Sequence, residues 1–305
     1  MDLVNRSVAW KGVGFVFLSA FMYASLPILG KMAFQAGLSP TGALFLRFAF
    51  SLVLTSFYIR LFKHIKVFQL TVTTIAQGIF LTMGALFYFY SLKYLAASIT
   101  GVLFFAYPVV VAILAIPVYK EKLKPRLLLA LILAVTGIIL VSNPGRDMSE
   151  ISNTGAILAL LACFSYACYC LIGQKSVASH DPLSIMASIS LIAVVMIGFL
   201  SGRDLAFLLH LSWNQVLIGL TLAIVNTILG LWLFLKGIQI IGASRAALVS
   251  SAEPPLIILL AFLVLGETLT LLQVLGSLLV FTSMFLSLKS ESDLLPFDPS
   301  VKIRN

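Results

Sequence analysis

Charged residues are nearly absent from two thirds of this 305-residue chain, and their distribution constrains the fold more than any other feature. Of the 31 Lys, Arg, Asp and Glu residues, only Arg47 and Glu253 lie within ten apolar stretches that together contain 199 residues. A random distribution would place about 20 charges there. The stretches are 12–30, 41–59, 70–92, 97–119, 127–142, 155–174, 183–201, 214–235, 246–265 and 271–288.

Each apolar stretch is near the length of one helical membrane crossing. A helix needs roughly 17–25 residues to cross about 30 Å of hydrocarbon, from which charges are excluded. The chain is 61% hydrophobic and 10% charged, which excludes soluble globular and disordered classes. A β-barrel would show short alternating strands instead. The sequence predicts an all-α integral membrane protein with ten transmembrane helices, the first of them retained rather than cleaved as a signal peptide.

The connectors between the stretches carry unequal numbers of cations. With the N-terminus in the cytoplasm, 15 of the 20 Lys and Arg residues lie on the cytoplasmic side and four on the opposite side. The positive-inside rule therefore predicts that both termini are cytoplasmic. The net charge of +9 would suggest nucleic-acid binding in a soluble protein. Here the excess of cations sets the orientation of the chain in the lipid bilayer and favours the anionic cytoplasmic leaflet. No nucleic-acid partner is expected.

The two halves of the chain repeat one another. At an offset of 146, ten of the 40 residues in 84–123 recur in the second half, among them Pro108 as Pro254. Because five spans per half is an odd number, the second repeat must enter the membrane inverted, an arrangement common in alternating-access transporters. The predicted division is a cytoplasmic N-terminal segment, two five-helix repeats and a cytoplasmic tail, at 1–11, 12–142, 155–288 and 289–305.

The repeated segments resemble a known transporter family. They read FYFYSLKYLAASITGVLFFAYPVVVAIL from residue 87 and LFLKGIQIIGASRAALVSSAEPPLIILLAFLVLGETL from residue 233. Both are similar to the EamA-type members of the drug/metabolite transporter superfamily, although Lys120 stands where the family usually has Gly. The resemblance implies secondary transport of small organic metabolites, amino acids or related compounds, across the bacterial inner membrane, usually outward.

Glu253 is the strongest candidate for a functional residue, because burying a carboxylate in the middle of the membrane is energetically unfavourable. One interpretation is that it lines a cavity, where it binds a cationic substrate group or exchanges a proton. The other is structural: a protonated carboxyl bonded to Ser250 or a carbonyl, which steadies the break at Pro254 and Pro255. An intramembrane acid favours the functional interpretation.

The repeat places Tyr107 at the position equivalent to Glu253, each immediately before the repeated proline. Proline removes a backbone donor and blocks the carbonyl four residues earlier, so both helices should kink or loosen there. We therefore expect Pro108, Pro254 and Pro255 to act as hinges, with Tyr107 and Glu253 facing one central cavity from opposite halves. Two ordinary kinked helices are the alternative.

Arg47 is the second intramembrane charge, about a third of the way into its span. Three roles are open to it: binding a substrate carboxylate or phosphate, pairing with Glu253, or extending its side chain to the membrane surface.

Several aromatic and polar side chains are further candidates for a substrate pocket. Flat or cationic ligands are recognised by aromatic rings, and a buried amide needs hydrogen-bond partners. For each of these residues, ordinary helix packing is the alternative. They are Tyr23 and Tyr166 at matched repeat positions, Tyr88, Tyr90, Trp232 and Asn226.

The sequence offers no pattern for cofactor chemistry. Its three His residues lie in connectors, no zinc motif or ATP-binding P-loop occurs, and neither a metal nor a cofactor is expected.

The predicted function is a secondary active exporter of small metabolites, with proton coupling left open. Uptake or exchange of a vitamin, nucleoside or other metabolite on the same fold is the alternative. A membrane-embedded enzyme or a non-transporting scaffold would be a different class.

Overall fold

A computed structural model describes residues 2–91, 93–95, 97–119, 125–142, 152–201, 208, 210–265 and 270–288. The predicted tail 289–305 and the connector containing Lys120 lie outside the described residues. The described part of the chain is mainly helical and contains no strand. The helices are α1 Asp2–Ala24, α2 Leu26–Gln35, α3 Pro40–Tyr58, α4 Val72–Ser91, α5 Ala97–Phe104, α6 Tyr107–Tyr119, α7 Pro125–Ser142, α8 Asn153–Ser179, α9 Pro182–Ser201, α10 Trp213–Thr221, α11 Trp232–Ile241, α12 Ala243–Ser250, α13 Glu253–Leu265 and α14 Leu271–Leu288.

Two π-helical segments extend this set. Ile59–Lys63 continues α3, and Leu222–Leu231 joins α10 to α11.

Serine side chains mark several helix starts, because their hydroxyls accept hydrogen bonds from free backbone N–H groups. Ser39 caps α3 and Ser152 caps α8, while Ser212 forms a capping box with Gln215 at α10.

Seven helical stretches in the described part are long and apolar enough to cross a membrane. Three more, within α6, α7 and α14, are apolar but shorter. α7 and α14 have 18 residues each, about 27 Å of helix. The seven longer stretches are Val8–Gln35, Pro40–Lys63, Val72–Ser91, Asn153–Ser179, Pro182–Ser201, Trp213–Ile241 and Ala243–Leu260.

The repeat is visible in the helix boundaries themselves. α5, α6 and α7 each begin and end 146 residues before α12, α13 and α14. The packing has the same symmetry: α3 contacts α9, α7 contacts α14, and the contact of α4 with α8 is matched by that of α11 with α1. The described helices therefore form two related halves that pack against each other along their length.

Small residues allow the two halves to approach closely. Gly84 of α4 lies against Ser165 and Tyr166 of α8, and its repeat counterpart Gly230 lies against Tyr23 of α1. α7 and α14 run antiparallel, because Gly137 contacts Val280 whereas the later residue Val141 contacts Gly276. Small residues at such crossings let helix backbones meet where larger side chains would separate them.

Candidate substrate site

A cavity of about 350 Å³ lies between the two halves. Its walls come from α1–α5 of the first half and from α8 and α13 of the second. Most of the lining is apolar or aromatic, yet both intramembrane charges, Arg47 and Glu253, are part of it. The structure thus brings together two side chains that lie 206 positions apart in the sequence.

Glu253 is the first residue of α13 and is 9% exposed. A carboxylate there benefits from the positive end of the helix dipole. Within the described residues the carboxyl has no hydrogen bond or ion pair. The Ser250 hydroxyl, which the structural interpretation assigned to Glu253, instead donates to the Ala247 carbonyl and shares a hydrogen bond with the Tyr107 hydroxyl. The geometry therefore favours Glu253 as a residue of the cavity.

Arg47 is buried and points inward, which excludes an extended path to the membrane surface. It is 5% exposed, and its Nε donates a hydrogen bond of 2.8 Å to the Thr227 hydroxyl. Its guanidinium carbon lies 5.9 Å from the ring centre of Tyr23 and 5.2 Å from that of Phe48. In the described structure Arg47 and Glu253 form no ion pair, so of the three roles inferred from sequence the geometry favours anion binding.

Tyr23, Tyr88 and Tyr166 line the cavity. Tyr107 lies behind this wall rather than among the lining residues of the cavity. It is fully buried, and its ring centre lies 4.7 Å from that of Tyr166. Phe104 packs against both rings, so Tyr107 is in contact with two rings of the cavity wall.

The other three candidates lie elsewhere. Tyr90 is paired with Lys93, whose ammonium lies 5.0 Å from the ring centre. Asn226 donates to the Met22 carbonyl and the Ser25 hydroxyl, and so joins the π-helical segment to the end of α1. Trp232 packs against the core, and its Nε1 has no partner among the described residues. For Asn226 the helix-packing interpretation therefore agrees with the structure.

The prolines mark interruptions in both helices. Two residues separate α5 from α6, and two residues separate α12 from α13, so the breaks occupy equivalent positions of the repeat. Pro108 is the second residue of α6 and Pro254 the second of α13. Proline is tolerated in a first turn because the N–H that it lacks has no helical partner there. The breaks free the start of α13 to present Glu253 to the cavity.

Residues whose contacts the sequence analysis did not predict complete the site. Phe104 and Phe105 line the cavity, Thr227 anchors Arg47, and Ser250 bonds Tyr107. Phe104 and Ser250 occupy equivalent positions of the repeat. The alignment that paired Tyr107 with Glu253 could therefore have identified both as candidates for the site. No metal site is indicated, since the described residues contain no group of three potential His, Cys, Asp or Glu ligands.

Comparisons with known proteins agree with this architecture. The EamA-like transporter family matches residues 10–143 and 153–289, which is most of the chain in two copies. The chain belongs to the EamA-like transporter family. The sequence resemblance is thereby confirmed, and the described fold is an all-helical membrane fold with two repeats.

Individual relatives of this EamA-family chain are transporters rather than enzymes. An uncharacterized transporter of Clostridium kluyveri is 26% identical over 296 residues, 92% of this chain and 94% of the relative. The threonine/homoserine exporter RhtA of Salmonella typhimurium is 31% identical over 166 residues, which span 53% of this chain and 54% of the exporter. A solved crystal structure superposes with a TM-score of 0.76 over 90% of this chain and 97% of its own, at 14% identity, and thus shares the fold.

Proposed function

We propose that this membrane transporter is a secondary active carrier that exports small organic metabolites across the bacterial inner membrane by alternating access. One observation carries the proposal: the two charges retained inside the apolar stretches line one cavity between the repeats. Charged residues at membrane depth are expensive to maintain and mark substrate or ion pathways. The exporter named among the relatives, which aligns with about half of this chain, supports outward transport.

The proposed topology has ten spans, formed by repeats 12–142 and 155–288. The shorter helices α6, α7 and α14 count as spans because α6 is the repeat counterpart of α13, and α7 and α14 have 18 residues each and pack against each other. α5 and α6 make one interrupted span, as α12 and α13 do. In this topology the cavity belongs to the outer half of the membrane, since its lining includes Phe34 near the outer end of the first span.

A reporter fusion tests the orientation. Green fluorescent protein fused after Asn305 is expected to fluoresce in intact cells, and alkaline phosphatase at the same point is expected to be inactive. Both outcomes follow from the excess of cations on the cytoplasmic side. An alkaline phosphatase fusion in the connector between α7 and α8 should be active and provides the matched external control. The opposite pattern would overturn the topology.

Contacts toward the cytoplasmic ends of the helices close the side of the protein opposite the cavity. The Tyr119 hydroxyl donates to the Leu171 carbonyl at 2.6 Å and joins the two halves. Within the second half, the Ala243 N–H donates to Gln174 Oε1 at 2.6 Å. The hydrogen bond between Tyr107 and Ser250 lies deeper, behind the cavity wall, and it links α6 of one half to α12 of the other. The two contacts between the halves, those of Tyr119 and Tyr107, must rearrange when the substrate site opens to the cytoplasm.

Tyr107→Phe is expected to change the transport rate by about 2- to 10-fold, because a buried neutral hydrogen bond contributes about 0.5–1.5 kcal/mol. The change removes one hydrogen bond between the two halves while the ring packing against Tyr166 is kept. Initial rates of flux in liposomes measure the effect, and Ser250→Ala should reproduce it. Tyr58→Phe, at an exposed ring whose centre lies 5.4 Å from that of Phe62, is the control. Wild-type rates in both Tyr107→Phe and Ser250→Ala would show that this contact plays no part in opening.

Reconstitution in liposomes tests the function itself. The purified chain is screened for flux of labelled amino acids, nucleosides and vitamins, with and without a pH gradient. Flux above that of empty liposomes is expected, and a dependence on the gradient would identify proton coupling. Preloaded liposomes and external label distinguish export from uptake or exchange. No flux for any compound of the panel would contradict the carrier proposal and favour a scaffold.

A further inference from the structure

We propose that Gln77 is a gate residue, which closes a second path from the cavity to the cytoplasm along one face of α8. That face carries Tyr169, Cys170, Gly173 and Val177, and all four residues are buried in the described structure. The inference rests on the proposed alternating access and the proposed topology. It goes further by naming the residues that line this path and the side chain that closes it.

The inverted repeat identifies this face of α8. At an offset of 143, residues of the first span recur in α8, among them Tyr23 as Tyr166 and Gly30 as Gly173. In an inverted-repeat carrier one repeat rocks against the other around a fixed site, so each half in turn adopts the conformation of its counterpart. First-half residues that line the described cavity therefore predict which second-half residues line the cytoplasmic path. Leu26, Pro27, Gly30 and Phe34 line the cavity, and their counterparts are Tyr169, Cys170, Gly173 and Val177.

Gln77 of α4 lies directly against this face. A methyl group added to Gly173 would approach the Gln77 amide nitrogen to 2.7 Å, so the amide is seated on the glycine. The counterpart Gly30 lines the open cavity, whereas Gly173 is covered. Gln77 comes one helical turn before the cavity-lining Leu81 and is therefore about 6 Å further toward the cytoplasm. Its side chain thus stands between the cavity and the cytoplasmic end of α8.

Polar groups along this path lack partners in the described state. Gln77 is fully buried, and neither its amide nitrogen nor its amide oxygen has a hydrogen-bond partner among the described residues. The hydroxyl of Tyr169 is in the same position, buried and without a partner in the described part of the chain. An unsatisfied buried polar group costs free energy, which is recovered when water reaches it. Both groups therefore favour the open state, while the apolar packing around them favours the closed one.

The native thiol of Cys170 reports whether the path opens. In a chain with Cys163→Ala and Cys168→Ala, Cys170 is the remaining thiol. Sulfonatoethyl methanethiosulfonate, which is charged and does not cross membranes, is added to inside-out or right-side-out vesicles. The mass of the purified full chain gives the labelled fraction. We expect labelling from the cytoplasmic side alone, because only the cytoplasmic path exposes this thiol to water.

Cys163 is the matched control on the same helix. It is buried as Cys170 is, but its counterpart Ala20 packs in the core and is not among the residues that line the cavity. A chain that retains Cys163 as its one thiol should stay unlabelled from both sides. Equal labelling of the two thiols would show a general loosening of α8 and would overturn the inference.

Two substitutions of opposite effect test Gln77 itself. Gln77→Met keeps the length of the side chain and removes its polar atoms, so it should stabilise the closed path and slow the labelling of Cys170 by about fivefold or more. Gly173→Ala pushes the Gln77 amide from its seat and should speed the labelling by about the same factor. In a Gln77→Ala background, where the methyl group has room, Gly173→Ala should change the labelling rate by less than about twofold. Gly14→Ala, with no neighbour within 4 Å of the added methyl group, is the control.

The outcomes separate this inference from the proposed function. Labelling of Cys170 from the external side, or none from the cytoplasmic side, would overturn the inference even if the chain transports a metabolite in liposomes. Unchanged labelling in both Gln77→Met and Gly173→Ala would overturn the role of Gln77 as the gate. A merely structural role would move the labelling of Cys163 and Cys170 together. The expected labelling without flux of any compound would uphold the path and contradict the carrier.

Discussion

Glu253→Gln is expected to lower the initial rate of substrate flux by at least about 30-fold. The substitution keeps the shape of the side chain and removes its charge and its ability to exchange a proton. If the carboxyl pairs with a cationic group of the substrate, losing that pair costs about 2–5 kcal/mol, and 2 kcal/mol corresponds to about 30-fold. Flux is measured in liposomes over a range of external pH. If Glu253 couples proton movement to transport, residual flux through the variant should also lose its dependence on pH.

The matched control is Asp181→Asn, which removes a carboxylate of similar chemistry at an exposed position. Asp181 accepts a hydrogen bond from the Leu183 N–H at the start of α9, and Asn can replace it there. This variant should transport at the wild-type rate. Thermal unfolding in detergent should show that both variants remain folded. A Glu253→Gln protein with wild-type flux and pH dependence would disprove a role for this carboxyl in transport.

Gly276→Ala is expected to have the largest effect on stability. A methyl group at this position would approach the Gly137 carbonyl oxygen to 2.6 Å and the Val141 nitrogen to 2.7 Å. Both are backbone atoms, so no rotamer change can relieve the contact, and α7 and α14 must move apart. Overpacking of this kind destabilises by about 1–3 kcal/mol. A lower melting temperature in detergent, with reduced recovery of folded protein, is the expected measurement.

Gly14→Ala is the control for this substitution. Gly14 lies in α1, and a methyl group there has no neighbour within 4 Å. Its melting temperature should stay the same or rise, because Ala is favoured over Gly within a helix by up to about 1 kcal/mol. Equal stabilities of Gly276→Ala and Gly14→Ala would show that the close contact between α7 and α14 is not required.

Much of the architecture could be predicted from sequence because the bilayer imposes a local rule. Hydrocarbon excludes charge from each crossing separately, so counting charges along the chain identifies the apolar helices without any knowledge of their neighbours. The same rule isolated Arg47 and Glu253. The repeat needs no tertiary information either, and the offset of 146 seen in the sequence recurs in the boundaries of α5–α7 and α12–α14.

The site was only partly predictable, because its contacts join distant parts of the chain. Ser250 illustrates the difficulty: three residues before Glu253 and on the same span, it was a reasonable partner for that carboxyl. The break between α12 and α13 separates the two side chains, and Ser250 meets Tyr107 of the other half instead. The contact between Thr227 and Arg47 could not be predicted from sequence, because no sequence pattern specifies which residues of a π-helical and an α-helical segment meet.

The sequence by itself determined that this is a duplicated membrane protein and that two charges are retained at membrane depth. Both conclusions follow from composition within short windows, where the bilayer acts on each residue independently of the fold. Only the tertiary structure decided that Arg47 and Glu253 share a cavity, that they remain unpaired in the described structure, and that Tyr107 lies behind the cavity wall. These facts depend on how antiparallel helices of two halves pack together, since packing sets which distant side chains meet.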